Sequence, residues 1–167
     1  MTKTHQKIID EIVKKYKKDR KTIAINLFDS LMEGKERPDS DVDIEIVSNR
    51  FRKWVLTKSK KYGIIVEIVK CPKKHLFYQI EKYPYLCYEY LRDKILYDPK
   101  GFMKDVKKEL KLYFNKNTKI AKFWEDELEI MRKNKAKGKD LKNAKQVYDE
   151  AEILFSDEHK VTRDFFN

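Results

Sequence analysis

The stretch from Asp41 to Val47, DVDIEIV, alternates strictly between acidic and apolar side chains. Successive side chains of a β-strand point to opposite faces, so Asp41, Asp43 and Glu45 share one face while the apolar residues enter the core. Carboxylates two positions apart lie about 6–7 Å from each other along a strand, and they repel one another. The pattern therefore predicts a strand that is buried on one face and acidic on the other.

Other segments of the chain carry equally regular patterns. Apolar spacing predicts helices over residues 5–18 and 51–62, and residues 73–91 also have a helical pattern. Short β-branched or apolar runs predict strands at 23–28, 64–69 and 94–98. After residue 101 three apolar stripes predict three helices, whose aromatic residues, Trp124 among them, are expected in the core. We therefore expect an α/β domain of residues 1–100, with a helical region of residues 101–167 packed on it.

Composition narrows the functional class. The 167 residues are 41% hydrophobic, which supports a packed core, and the formal net charge is +11. That charge favours a polyanionic partner such as nucleic acid, a nucleotide or an acidic protein surface, although a Lys-rich genome would produce the same excess. The two cysteines have no metal-ligand or disulfide spacing. There is no signal-peptide pattern and no apolar run of about 18 residues, so we expect a cytoplasmic protein with no membrane partner.

A further carboxylate, Glu67, lies in the apolar run IIVEIV. If the two strands are neighbours, Asp41, Asp43 and Glu67 can hold two Mg²⁺ ions about 3.5–4 Å apart, an arrangement suited to phosphoryl transfer. The alternative is a solvated strand face. In that case Glu45 and Glu67 are surface residues, and Asp41 and Asp43 cap the preceding loop. The spacing leaves both interpretations open.

One segment resembles a known family. The residues LFDS, ten intervening residues and then DVDI resemble the signature of the DNA polymerase β-like nucleotidyltransferase superfamily, above all its minimal and antibiotic nucleotidyltransferases. That signature is a hydrophobic residue, Gly, then Gly or Ser, followed some ten residues later by Asp-hydrophobic-Asp-hydrophobic. The matching positions here are Ser30, Gly34, Arg37, Pro38, Ser40, Asp41 and Asp43. The resemblance spans roughly residues 5–115.

The resemblance implies a fold and an activity. The fold is a mixed β-sheet with helices packed on one face, followed here by C-terminal helices. The activity is the Mg²⁺-dependent (or Mn²⁺-dependent) transfer of a nucleoside monophosphate, AMP in the first instance, from an NTP to a hydroxyl group. The acceptor is a small molecule or a protein.

The resemblance also implies roles for single residues. Asp41 and Asp43 are metal ligands, and Glu67 is the third metal carboxylate and the base toward the acceptor, matched by strand position. Ser30 contacts the triphosphate, since amides at a helix N-terminus bind anions. The nucleotide-binding residues carried over are Ser30, Asp29, Gly34, Arg37 and Ser40.

Asp29 departs from the family pattern, which has glycine there so that the backbone can approach the phosphates. Asp29 adds bulk and negative charge, and Glu33 adds a second charge, each weakening binding by about 1 kcal/mol. Lys35 and Arg37 offset part of this. The alternatives are an active or slow enzyme, with Asp29 harmless or a metal ligand, and a protein that keeps the fold as an antitoxin-like binding or regulatory module. An RNA-modifying nucleotidyltransferase is a third, favoured by the charge.

The remaining candidate residues give weaker indications of function. The three histidines, His5, His75 and His159, have no metal spacing and are predicted to lie on the surface. The two cysteines have no neighbourhood typical of a nucleophile. The acidic residues of KFWEDELEIMRK are expected to pair with lysine and arginine along their own helix.

Overall fold

The computed structural model describes residues 1–28, 38, 40–136 and 144–156. Its α-helices are α1 (Lys3–Tyr16), α2 (Lys73–Lys82), α3 (Phe102–Lys116), α4 (Thr118–Ala136) and α5 (Ala144–Phe155). Its strands are β1 (Thr22–Phe28), β2 (Val42–Ser48), β3 (Val55–Lys61), β4 (Ile64–Pro72) and β5 (Lys94–Tyr97). Two short 3₁₀ helices, Pro84–Leu86 and Tyr88–Leu91, follow α2.

The strands form one mixed sheet in the order β3-β4-β2-β1-β5. The central pair, β2 and β4, is parallel, whereas β1 with β2, β1 with β5 and β3 with β4 are antiparallel. The acidic strand β2 is therefore flanked on both sides, and its backbone groups are paired along its length. The predicted α+β class with a mixed sheet is confirmed.

One face of the sheet forms the core with α1. Alternate residues of the central strands, such as Ile25, Ile44 and Ile46, are 0–2% exposed and pack with three isoleucines of the helix. These helix residues are Ile8, Ile9 and Ile12. Their spacing places them on one side of α1, so the helix buries its apolar side on the sheet. The acidic residues of β2 point to the opposite face.

The prediction of a helix over residues 51–62 is wrong, because Val55–Lys61 forms strand β3. This strand pairs with β4 as a hairpin whose turn is Tyr62 and Gly63, both at positive φ (52° and 84°). A two-residue turn with positive φ at both positions matches the right-handed twist of antiparallel strands. The lysines of β3 are typical of a sheet edge protected from further pairing.

The structure divides into two compact units. The first comprises Met1–Tyr78 and Arg92–Val106, and the second comprises the described parts of Gln79–Leu91 and Lys107–Asn167. The first unit contains the whole sheet and α1. The expected boundary at residue 100, and the packing of the C-terminal helices on the first domain, stay predictions. Among the described residues no helix is long and apolar enough to cross a membrane.

Candidate functional site

Asp43 and Glu67 lie side by side on the face of the sheet opposite α1, and Asp41 lies just before β2; we call these three residues the carboxylate row. Asp43 and Glu67 are register partners on the parallel strands β2 and β4, so their Cα atoms are about 4.8 Å apart. Asp41 immediately precedes β2, two residues before Asp43. All three residues are partly exposed. The row therefore has both the common face and the access to solvent that cation binding requires.

A lysine joins the carboxylate row from the sheet edge. Lys58 of β3 is the register partner of Glu67, and its Nζ lies 2.5 Å from Glu67 Oε1. The hydrogen bond and charge of Glu67 raise the pKa of Lys58, and the charges of Asp41 and Asp43 raise that pKa further. The ammonium is thus within electrostatic reach of all three carboxylates.

Further along the same face, Glu45 at the centre of the sheet is buried. Glu45 is 4% exposed and accepts a hydrogen bond from Asn26 Nδ2 at 3.4 Å. Burial, followed by the charge of Glu45, raises the pKa of the Cys71 thiol. The alternative of a solvated strand face is therefore wrong for Glu45, and Cys71 is a buried neutral thiol rather than a nucleophile. On this face, therefore, the centre of β2 is buried at Glu45, whereas Asp43 and Glu67 are partly exposed.

His5 is buried, at 0% exposure, so its prediction as a surface residue is wrong. Its Nε2 donates to the carbonyl oxygen of Ser40 at 2.9 Å, and its Nδ1 lies 2.6 Å from Thr2 Oγ1. The carbonyl can only accept, so Nε2 carries the proton. Thr2 Oγ1 also accepts from the backbone N–H of His5 and caps α1. The start of α1 therefore holds the residue directly before Asp41.

Removing the His5 side chain is expected to destabilise the protein. His5→Ala takes away the donor to Ser40 and leaves a cavity, so the free energy of unfolding should fall by about 2–3 kcal/mol. Urea denaturation measures the difference. His75→Ala is the matched control, since His75 is only partly buried, and its expected loss is below about 1 kcal/mol. Equal losses in the two variants would contradict the anchoring role of His5.

The predicted nucleotide-binding residues fall largely outside the described part of the chain. Asp29, Ser30, Gly34 and Arg37 are among the residues that the structure does not describe, so their roles stay predictions. Ser40 is described: it is 6% exposed and lies next to Asp41. The structure thus brings Ser40 to the start of the carboxylate row.

The oxygen donors of the carboxylate row fit the chemistry of Mg²⁺, which prefers carboxylates and water. Within residues 1–28, 40–136 and 144–156, however, no three His, Cys, Asp or Glu side chains are grouped closely enough to hold a metal ion. In this arrangement the ion pair with Lys58 occupies Oε1 of Glu67.

Lys58 is the member of this site that the sequence did not predict. The cause is the misassignment of residues 51–62 as a helix, since a helix does not place Lys58 opposite Glu67. The signal was present in the sequence: VLTKSKKYGIIVEIV is two extended runs separated by a residue pair ending in glycine. That pattern is typical of a hairpin.

Expected partners on the helices are also present. In α4, Lys122 pairs with Asp126, and Lys133 pairs with Glu129, each with an N–O distance of 3.4 Å. Both pairs are four residues apart along one helix, as predicted. These acidic residues are accordingly occupied on the helix surface.

Comparisons with known proteins give a partial structural match at low sequence identity. No protein-family model matches the sequence, and no curated protein is significantly similar to it. Among solved structures, the chain is similar to a nucleotidyltransferase-like protein from Exiguobacterium sibiricum 255-15, with 13% identity and a TM-score of 0.49. The match covers 64% of this chain and 38% of the other, so this chain spans well under half of that protein.

Proposed function

We propose that this protein is a Mg²⁺-dependent nucleotidyltransferase. It transfers a nucleoside monophosphate, AMP in the first instance, from an NTP to a hydroxyl group of a small molecule or a protein. The single observation that supports this proposal best is the register of β2 and β4, which aligns Asp43 with Glu67 on one face beside Asp41. Acidic side chains at adjacent, partly exposed positions repel one another, and a cation relieves that repulsion.

Each residue of the carboxylate row has a proposed role. Asp41 and Asp43 are the principal ligands of Mg²⁺, and Glu67 is the third. Mg²⁺ held by these residues would neutralise phosphate charge, which favours attack of the acceptor oxygen at the α-phosphorus and departure of pyrophosphate. Glu67 is also the proposed general base, which accepts the proton of the attacking hydroxyl. Ser30, together with the amides that follow it, is proposed to bind the triphosphate.

Titration calorimetry of the wild-type protein with ATP tests the proposal. In the presence of Mg²⁺ we expect a dissociation constant between about 1 μM and 1 mM, the range typical of enzyme substrates. Chelation of the metal with EDTA should weaken binding by more than about tenfold, because phosphate charge would then face the carboxylates directly. A parallel incubation with α-³²P-labelled and γ-³²P-labelled ATP reports whether the α-phosphate alone is transferred.

Two outcomes would favour one of the alternative functions. Absence of ATP binding with or without Mg²⁺ would contradict the proposal and favour the antitoxin-like binding module. Transfer of label to RNA, with affinity for RNA falling steeply as salt rises, would identify RNA as the acceptor. That last alternative draws support from the net charge of +11.

A further inference from the structure

The row of ionised groups across β3, β4 and β2 contains a cation supplied by the protein itself. Lys58, Glu67 and Asp43 are successive register partners across these three strands. Nζ of Lys58 lies 2.5 Å from Glu67 Oε1. Side chains at register positions share one face of a sheet, so the ammonium stands beside the same carboxylates that a divalent ion would use.

The contact between Lys58 and Glu67 is held at the surface rather than in the core. The Lys58 side chain is 59% exposed and that of Glu67 is 26% exposed. Exposed ion pairs contribute little net stability, since solvent competes for both charges. Lys58 also has a long flexible stem on an edge strand, so its ammonium can leave Glu67 without disturbing the sheet.

We infer that Lys58 is a resident counter-ion of the carboxylate row, which competes with a divalent cation for Glu67. Without a divalent ion, Lys58 neutralises part of the charge that Asp41, Asp43 and Glu67 concentrate on this face. Glu67 would join Asp41 and Asp43 as a ligand of a divalent ion only after the ammonium has left it. Divalent-ion affinity is therefore set by an exchange of cations, and Lys58 lowers it.

This inference rests on the proposed function, since it concerns the same metal site. The test is calorimetric titration of Mn²⁺ into the nucleotide-free protein, which needs no acceptor and no turnover. Lys58→Gln is compared with Lys60→Gln, which removes the same charge two residues further along β3, opposite Ile65 rather than an acidic residue. We expect Lys58→Gln to bind Mn²⁺ about tenfold more tightly than wild type, and Lys60→Gln to change affinity by less than about threefold.

The same lysine substitution in the Glu67→Gln protein separates competition for Glu67 from simple repulsion between the ammonium and the divalent ion. In Glu67→Gln protein the lysine has lost its partner, so adding Lys58→Gln should tighten Mn²⁺ binding by less than about threefold, and the double-mutant cycle gives the coupling. An equal tightening in both backgrounds would overturn the competition at Glu67.

The outcomes also distinguish this inference from the proposed function. If wild type binds Mn²⁺ and Lys58→Gln binds it no more tightly, Lys58 is not a competitor, and the metal site itself stands. If neither protein binds Mn²⁺, and ATP with Mg²⁺ also fails to bind, both the inference and the proposed function are overturned. Circular dichroism of each variant confirms that the fold is retained.

Discussion

Nucleotide transfer is expected to fall by about 10³-fold or more when Asp41 and Asp43 are both changed to asparagine. Asparagine keeps the shape of aspartate and removes its charge, so the row loses two of its three anionic ligands while the packing of β2 is preserved. Asp43 lies on the face of β2 opposite the core formed with α1, Asp41 directly precedes the strand, and both residues are partly exposed. The loss should therefore appear in transfer and in binding of ATP with Mg²⁺, rather than in stability. The measurements are transfer of α-³²P label and calorimetry.

A control variant that removes the same number of negative charges can be made on the helices. Asp126→Asn with Asp149→Asn also removes two negative charges, from residues that pair with lysines four positions away and are 60% and 52% exposed. This variant is expected to keep transfer within about twofold of wild type, because surface pairs of this kind contribute little. Transfer by the Asp41/Asp43 variant within tenfold of wild type would remove the carboxylate row from the mechanism.

The largest expected effect on stability follows from Trp124 in α4. Its side chain is 1% exposed, and its Nε1 donates to the carbonyl oxygen of Tyr85 at 2.6 Å. The ring centroid of Tyr148 lies 5.1 Å from that of Trp124. Trp124→Ala removes this contact and the hydrogen bond and leaves a large cavity, so the free energy of unfolding should fall by about 3–5 kcal/mol. Urea denaturation followed by circular dichroism measures it.

The other tryptophan of the chain is the natural control. Trp54 lies just before β3 and is 45% exposed. Trp54→Ala removes the same atoms from a half-solvated position and should cost less than about 1 kcal/mol. Trp124→Phe, which keeps an aromatic ring and loses the indole N–H, should fall between the two alanine variants. Comparable losses for Trp54→Ala and Trp124→Ala would show that Trp124 is not a centre of packing in the second unit.

Local pattern predicted most elements of the fold correctly. The strands at 23–28, 41–47, 64–69 and 94–98 and the helix near the N-terminus are confirmed within a few residues. Most of these segments carry either a regular apolar period or a continuous apolar run, and the apolar residues of α1, β1 and β2 are largely buried. The error at residues 51–62 arose because Trp54, Val55 and Tyr62 fall at spacings that also suit a helix. The pairing of β3 with β4 decided the matter, through a turn at Tyr62 and Gly63.

The candidate site was likewise predictable from the sequence only in part. Asp41 and Asp43 follow from alternation within one strand, and alternation also places Glu67 on one face of its own strand. The relation between the two strands does not follow from either sequence pattern. It depends on β2 and β4 being parallel neighbours, with Asp43 aligned to Glu67. The contact of His5 with Ser40, 35 residues apart in sequence, likewise depends on how α1 meets the sheet.

By itself the sequence determined that this chain forms an α+β protein with an acidic face on one strand, because side-chain direction follows from local backbone geometry. Only the tertiary structure decided which acidic side chains are exposed to solvent and which are buried. Glu45 is buried, whereas Asp41, Asp43 and Glu67 remain accessible. It also decided that Lys58 contacts Glu67. Burial and charge pairing depend on residues distant in sequence, and the free energy of ionising a carboxyl group depends on both.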